Sequence, residues 1–314
     1  STYDTGYSVM LKINISYLIG LVAVFILSLG IAHFGFSQGY MYLGTEETQP
    51  VTKFLIPETV KQGHTLAIKI YPATPAVGQS YEGGTFWLAG KKIPLFLQAD
   101  GTLEGLMPIG VTQKVGTYTF KIQSRKGEAL YSDKTEILDA NFYKQNITVS
   151  KKMGGLSAEP GAYAAIGNLK RVTGSTKYWS EPFVRPTPDC MNSPFGNLRL
   201  HNGKYSGNYH KGLDTKSPQG RPIKAMAGGI VKIARKYRLH GGTVGLDHGQ
   251  GVSSIYIHMS KINVKAGQQV TKGQVIGHVG STGFATGPHL HWGVYVNGVP
   301  VNPAQWVEPI TACR

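Results

Sequence analysis

Charge is sparse in this chain, and acidic residues are the scarcer kind. Asp, Glu, Lys and Arg together make up 16% of the 314 residues, yet the formal net charge is +15. An excess of basic residues favours a polyanionic partner, such as nucleic acid, anionic lipid or an anionic cell wall. The chain has no long basic run and no recognised nucleic-acid-binding motif, so we expect no nucleic-acid partner.

Charge is missing altogether from residues 13–36, which contain no Lys, Arg, Asp or Glu. Such a segment is long enough to cross a bilayer as a helix, and we predict a transmembrane signal anchor. Lys12 precedes it and the next basic residue is Lys53. The positive-inside bias then leaves residues 1–12 in the cytoplasm. A cleaved signal peptide starting at Met10 is the alternative, and either way we expect most of the chain in the periplasm.

Cysteine is almost absent, with two residues, Cys190 and Cys313. They lie near the two ends of the C-terminal part of the chain. In an exported protein such a pair indicates a disulfide. Two free thiols are the alternative, and the metal site described below needs neither cysteine.

The chain is long enough for two domains and their connections. Residues 37–50 are interpreted as a linker, and residues 51–152 as an all-β sandwich, because short alternating runs there are separated by Gly, Pro and Asp. No cluster of His, Cys and Asp occurs in that sandwich, so we expect no catalytic residues in it.

Residues 153–188 are predicted to be a linker that packs on the next domain, with one short helix at 158–172. Residues 189–314 contain short Gly- and Val-rich runs and predict a twisted antiparallel sheet with a cleft on one face.

Two histidine motifs of this last domain have the spacing of a metal site. Residues two apart on a strand point to the same face, so His289 and His291 can enter one cleft. His210 and Asp214 are four apart, and Gly212 argues against a helix between them, so we place Asp214 on a short strand. Zinc accepts two imidazoles and one carboxylate, and three protein ligands leave a fourth position open for water. Each motif alone is common by chance, but their order along the chain predicts a zinc site.

These motifs, with His258 between them, resemble the lysostaphin-like (LytM-type) zinc endopeptidases, which cut the peptide part of peptidoglycan. The resemblance runs from Pro194 to Pro303 and includes the segments 195–199, 222–231, 247–249, 256–258 and 270–291. It implies a lysostaphin-like peptidase domain for residues 189–314 and an Ig-like domain for the preceding sandwich. The departures from the family pattern are Arg221, Ile257, Met259 and Gly293, which affect the shape of the pocket.

The resemblance implies that His210, Asp214 and His291 bind one zinc ion per chain. It also implies that His258 and His289 face the attacking water and the substrate without binding the metal. The chain has no His-Glu-x-x-His motif, so histidines have to carry the proton transfers. We expect His289 to act as general base and His258 to stabilise the oxyanion and pass a proton to the leaving amine.

The remaining histidines, His33, His64, His201, His240, His248 and His278, are expected at surface or turn positions. Asp247 is a candidate partner that orients a ligand imidazole. Arg199 is expected either to hold a loop or to meet a substrate carboxylate.

The function predicted from the sequence is therefore hydrolysis of peptidoglycan cross-link peptides by a monomeric enzyme. A D-alanyl–diaminopimelate bond in a Gram-negative envelope is favoured over a glycine bridge. The alternatives are a catalytically silent regulator of another wall hydrolase, and a carbohydrate-binding protein in which zinc only stabilises the fold.

Overall fold

The computed structural model describes residues 33–37, 40–44, 52–73, 83–147 and 157–314 of the chain. Residues from Thr52 to Arg314 pack as one compact unit.

The described residues before Thr52 form one antiparallel hairpin of strands β1 (His33–Ser37) and β2 (Tyr40–Gly44). Residues 13–32 of the predicted membrane segment 13–36 lie outside the described residues. Its last four residues, 33–36, lie in β1 rather than in a helix. Strand β2 also occupies part of the predicted linker 37–50. Aromatic residues such as Phe34 and Phe36 favour strands. The prediction of a membrane helix used only the absence of charged residues and did not include this preference. Among the described residues, no helix is long and apolar enough to span a membrane.

The first half of the compact unit contains two β-sheets that share one core. Their strands are β3 (Lys53–Leu55), β4 (Thr59–Lys61), β5 (Thr65–Tyr71), β6 (Thr85–Leu88), β7 (Lys91–Pro94), β8 (Phe96–Leu97), β9 (Leu103–Pro108), β10 (Gly116–Gln123) and β11 (Ala129–Leu138). One sheet has the order β4-β11-β10-β6-β7 and the other β3-β5-β9-β8. Alternate residues of the strands, including Ile68, Ile70, Phe86 and Ile122, fill the space between the sheets. The all-β prediction for this region is confirmed, and its assignment as Ig-like stays a prediction.

The connection to the second half contains strand β12 (Lys144–Ile147) and helix α1 (Ala162–Lys170). The helix lies within the predicted range 158–172. Its buried residues Ala162, Ile166 and Leu169 are spaced three and four apart, so they share one face of the helix.

The second half is built from short strands and one 3-10 helix. They are β13 (Met191–Ser193), β14 (Leu198–His201), β15 (Lys204–Tyr209), β16 (Leu213–Thr215), β17 (Pro222–Lys224), β18 (Gly229–Tyr237), β19 (Gly241–Gly249), β20 (Val252–Met259), β21 (Lys261–Ile262), β22 (Gln269–Val270), β23 (Val275–His278), β24 (Leu290–Val296), β25 (Val299–Val301) and the 3-10 helix Pro303–Trp306.

The main sheet of this half has the order β13-β16-β24-β20-β19-β18-β22, with β25 paired to β24. Its strand pairs are antiparallel, as predicted. Two smaller sheets flank it, β17-β23-β21 and β12-β14-β15. In the second of these, β12 from the first half pairs in parallel with β14.

The two faces of the main sheet have different roles. On one face, Tyr256, Trp292 and Val294 belong to the larger hydrophobic core of this half. On the other face, α1 packs against a smaller cluster that includes Ile255 and Tyr295. Residues two apart on β24 share a face, so His291 lies on the same side as Tyr295 and α1. The face that carries α1 is therefore the face that carries the site.

Contacts between the two halves are made by side chains as well as by strands. The Gln305 amide accepts a hydrogen bond from the Thr65 backbone N–H and donates one to the Thr65 carbonyl, both at 2.7 Å. Asn297 donates to the Leu106 carbonyl at 2.8 Å. Within the second half, Cys190 and Cys313 form a disulfide between Cα atoms 5.1 Å apart.

Candidate metal centre and active site

Three potential metal ligands meet at the junction of β16 and β24. Asp214 on β16 lies directly opposite His291 on β24 in the antiparallel pairing. Asp214 Oδ1 is 2.8 Å from His291 Nδ1 and 3.0 Å from His210 Nε2, and the two ring nitrogens are 3.0 Å apart. These residues form a group that can hold a metal ion, the only such group in the part of the chain that the structure describes.

The protonation of these residues suits a cation. His210 Nδ1–H donates to the Pro194 carbonyl at 2.9 Å, which leaves the lone pair of Nε2 directed at the group. Burial lowers the pKa of His291 to about 4, although Asp214 opposes that shift, so this imidazole is neutral at pH 7. Burial raises the pKa of Asp214, but the two imidazoles outweigh it and hold that pKa well below its ordinary value. Two neutral imidazoles and one carboxylate are the forms that bind zinc.

The second oxygen of the Asp214 carboxylate is occupied by Arg199. The guanidinium Nη2 lies 3.3 Å from Asp214 Oδ2, and both side chains are largely buried. Arg199 belongs to β14, where it lies opposite Gln145 of β12. The two oxygens of the Asp214 carboxylate therefore have different partners: Oδ1 faces the two imidazoles, and Oδ2 faces the positive charge of Arg199. This ion pair was not predicted from the sequence, and the two roles expected for Arg199, holding a loop or meeting a substrate carboxylate, stay predictions.

Gly212 leaves space for the His291 ring. A Cβ atom at position 212 would lie 2.6 Å from His291 Nε2 and 2.7 Å from the Trp292 carbonyl oxygen. A side chain there would displace the imidazole, so a residue without Cβ is required between His210 and Asp214.

His258 enters the cleft because of a β-bulge. In the pairing of β19 with β20, Gly242 lies opposite Met259 and Val244 opposite Tyr256, so β20 has one extra residue at this point. Ile257 pairs with His291 and shares its face, so regular alternation would turn His258 away. The left-handed backbone of His258 (φ 63°) turns its side chain back, and its ring centroid is 6.3 Å from that of His291.

His258 and His289 form a pair beside the three potential ligands. Their ring centroids are 4.7 Å apart. His258 Nδ1–H donates to the Thr282 carbonyl and His289 Nδ1–H donates to the Gly287 carbonyl, both at 2.8 Å. In the neutral form of each ring, Nε2 therefore carries the lone pair. Burial, reinforced by His289 and His291, lowers the pKa of His258 to about 3, so this ring is neutral at pH 7.

Other predictions about single residues are wrong. His248 is completely buried rather than at a surface turn; it donates from Nδ1 to the Gly228 carbonyl at 2.6 Å, and its Nε2 is 2.8 Å from Ser254 Oγ. Asp247 does not orient a ligand imidazole, because its carboxylate accepts from the Gly249 N–H and pairs with Lys232.

The remaining histidines are not among the three potential metal ligands. His33, His201 and His278 lie in strands, and His64 and His240 lie in turns. His64 Nε2 is 3.4 Å from the Asn302 amide.

Sequence reasoning did not identify the backbone carbonyls of Pro194, Thr282 and Gly287, which set the three histidine tautomers. Every residue has the same backbone carbonyl group, so the residue types in the sequence could not show which carbonyls accept these hydrogen bonds. The bulge was also missed, because the residues around His258 have the alternation of a regular strand.

Comparison with known proteins agrees with this geometry. Residues 208–303 match the model of Peptidase family M23. The chain is similar to the DD-carboxypeptidase/endopeptidase Mpg of Neisseria meningitidis, with 40% identity over 119 residues that make up 38% of this chain and 27% of that protein. It is similar to the peptidoglycan DD-endopeptidase ShyA of Vibrio cholerae, with 41% identity over 112 residues, 36% of this chain and 26% of that protein. The matches thus span about a quarter of the length of these two curated relatives.

A solved structure extends the likeness beyond the matched segment. The crystal structure of a putative peptidase M23 from Pseudomonas aeruginosa superposes with a TM-score of 0.57 and 27% identity, covering 78% of this chain and 93% of that one. The matched residues 208–303 contain His210, Asp214 and His291, and also the His258–His289 pair. This segment of the chain is therefore a domain of peptidase family M23.

Proposed function

We propose that this protein is a zinc endopeptidase that hydrolyses peptide cross-links of peptidoglycan. The observation that carries the proposal is the meeting of His210, Asp214 and His291 beside the His258–His289 pair. The named activities of the Neisseria and Vibrio relatives support the substrate class. A silent regulator has no supporting observation, because the ligand set and the histidine pair are complete.

The metal would be held by His210 Nε2, Asp214 Oδ1 and His291 Nδ1. When bound there, zinc supplies a Lewis acid and lowers the pKa of water. Arg199 holds the Asp214 carboxylate in place through Oδ2, and the Pro194 carbonyl keeps His210 in the tautomer that exposes Nε2.

The histidine pair would carry the proton transfers. His289 is partly exposed, and its Nε2 can accept the proton of the attacking water while Nδ1–H stays bonded to the Gly287 carbonyl. His258 is neutral in the resting protein, so it can donate to the developing oxyanion only after its Nε2 has gained a proton, and the adjacent His289 can pass on the proton that it takes from the attacking water. Protonation of His258 therefore belongs to the transition state rather than to the free enzyme.

Two alanine variants test these roles. We expect His291→Ala to lose both zinc and activity, since it removes a ligand, and His289→Ala to keep zinc and lose activity. Metal content would be measured on the purified full chain, and cleavage would be followed as conversion of dimeric muropeptides to monomers with and without a chelator. Full activity in His289→Ala would contradict its role as base. Bound zinc with an unchanged muropeptide profile in the unaltered protein would reject the peptidase.

We also infer that the protein works as a monomer in the cell envelope, anchored through the uncharged segment that follows Lys12. The uncharged segment after Lys12 and the Cys190–Cys313 disulfide support an exported location. Fractionation of cells, followed by protease treatment of spheroplasts, would test it. An intact protein protected inside spheroplasts would contradict the proposed location. The masses of the muropeptide products would show whether the bond is D-alanyl–diaminopimelate.

A further inference from the structure

Two lysines lie near the metal ligands without an acidic partner. Lys211 follows His210 in the chain, and Lys170 is the last residue of α1. Across residues 52–73, 83–147 and 157–314, the acidic side chains that form ion pairs do so with other basic residues, and neither of these ammonium groups forms one.

The two lysines approach the same stretch of β24. Gly293 is two residues beyond His291 and lies on the same face of the sheet. A Cβ atom at Gly293 would lie 3.1 Å from Ile255 Cγ2, 3.3 Å from the Lys211 carbonyl oxygen and 3.6 Å from the Tyr295 ring. The side chain of Ile255, the backbone of Lys211 and the ring of Tyr295 thus surround Gly293 next to the metal ligands, and the two lysines flank this position.

Aromatic rings, rather than carboxylates, hold the two ammonium groups. Lys170 Nζ lies 4.5 Å from the centre of the buried Tyr295 ring, and Lys211 Nζ lies 5.9 Å from that of Tyr209. A cation–π contact uses the ring face and leaves N–H groups available for an anion. Burial and then the charge of Lys211 lower the pKa of Lys170, as expected for two cations near each other. An anion between them would relieve this repulsion.

We propose that Lys170 and Lys211 form a subsite for a carboxylate of the peptide substrate. Along β24, Gly293 is about 7 Å and Tyr295 about 13 Å from His291, because a strand rises about 3.3 Å per residue. An extended peptide advances at a similar rate, so the carboxylate would lie about two to four residues from the scissile bond. The subsite rests on the proposed peptidase function, since it assigns specificity to the same cleft.

The test compares two forms of one substrate. Cross-linked muropeptide dimers with free carboxylates would be compared with the same dimers after conversion of their carboxylates to carboxamides. In the double variant Lys170→Met/Lys211→Met we expect the KM for the free-carboxylate form to rise about tenfold, the effect of losing one charge-assisted contact, with little change in kcat. The unaltered protein should prefer the free form, and the double variant should not.

Control variants separate local from general effects. Lys265→Met removes one exposed charge elsewhere in the domain and should leave KM unchanged. Lys170→Arg/Lys211→Arg keeps both charges and should restore most of the preference for the carboxylate. Zinc content and thermal unfolding of each variant would show that the fold is intact.

Binding to His289→Ala, measured by titration calorimetry, distinguishes failure of the subsite from failure of the peptidase. Cleavage with an equal KM in the double variant would overturn the subsite and leave the peptidase standing. Absence of cleavage, together with weaker binding after the lysines are replaced in the His289→Ala background, would support the subsite and reject the peptidase. Equal binding of the free and amidated dimers would overturn the subsite in either case.

Discussion

At the scale of single residues, backbone carbonyls decide which nitrogen of each site histidine faces the cleft. Pro194, Thr282 and Gly287 accept the Nδ1–H groups of His210, His258 and His289. Because each ring then exposes Nε2, the same tautomer would serve as metal ligand in one case and as proton acceptor in the other two under the proposed function. The different roles proposed for these histidines therefore follow from their positions in the cleft rather than from a difference in tautomer.

Arg199 should control metal affinity without binding the metal. We expect Arg199→Gln to weaken zinc binding about 10–100-fold, as is typical when a partner of a metal ligand is removed. The physical reason is that Asp214 Oδ2 loses its ion pair with the guanidinium, so the carboxylate is held through Oδ1 alone. Chelator competition on the purified protein measures this change directly. Arg235→Gln, which removes an exposed arginine of β18, is the control, and equal affinities for both variants would contradict the role.

At the scale of structural elements, the bulge in β20 turns a core-facing position into a cleft-facing one. His258 has a left-handed backbone conformation. Glycine adopts this conformation without penalty, whereas for a residue with a Cβ atom it costs free energy. The strain is retained because the side chain is needed in the cleft.

The strain can be measured by comparing two substitutions that both remove the imidazole. We expect His258→Gly to be more stable than His258→Ala by about 1 kcal/mol, the cost of a left-handed conformation for a residue with Cβ. Urea unfolding of the two variants gives this difference, and both should be inactive. If the alanine variant is the more stable one, the bulge is not strained.

A second element-scale feature is the buried hydrogen-bonded set of His248, Ser254 and Tyr256 between β19 and β20. Burial lowers the pKa of His248 from 6.5 to about 4. The unfolded chain therefore binds a proton before the folded protein does. The stabilising contribution of neutral His248 is complete above pH 6.5 and is lost as the pH falls towards 4.

His248→Gln should accordingly reduce the acid sensitivity of the fold. A shift of this size corresponds to about 3 kcal/mol of unfolding free energy between neutral and acidic pH. Urea midpoints at several pH values, with a chelator present throughout, would measure it. We expect the variant to be less stable at pH 7 but to lose less stability on acidification. Parallel pH profiles for the two proteins would contradict the assignment.

The sequence predicted elements better than it predicted single side chains. The alternation in β5 and β10 and the spacing of α1 depend on local patterns, and these elements were correctly predicted. The burial of His248 and the ion pair of Arg199 depend on strands distant in sequence, which no local pattern specifies. His33–Phe36 were placed in a helix because missing charge does not distinguish a helix from an aromatic strand.

At the scale of the whole molecule, the disulfide closes a ring of the chain that contains every residue assigned to catalysis or metal binding. Cys190 and Cys313 are 123 positions apart. Closing a loop of this length limits the unfolded state far more than the folded one.

Replacing both cysteines should therefore lower stability without removing the site. We expect Cys190→Ser/Cys313→Ser to lose up to about 4–5 kcal/mol of unfolding free energy, the chain-entropy value for so long a loop, while it still binds zinc. Denaturant unfolding and metal content measure the two effects. The unaltered protein after mild reduction is the matched control, and unchanged stability in both would show that the disulfide does not support the fold.

The same ring has a consequence for the lifetime of the protein after backbone damage. A single cut between Cys190 and Cys313 would open a loop but would not divide the molecule, because the two pieces stay joined through sulfur. His210 and His291 would remain in one covalent particle on opposite sides of most such cuts. A nicked molecule could thus keep its ligands together in surroundings rich in other proteases, and only a second cut or a reductant would separate them.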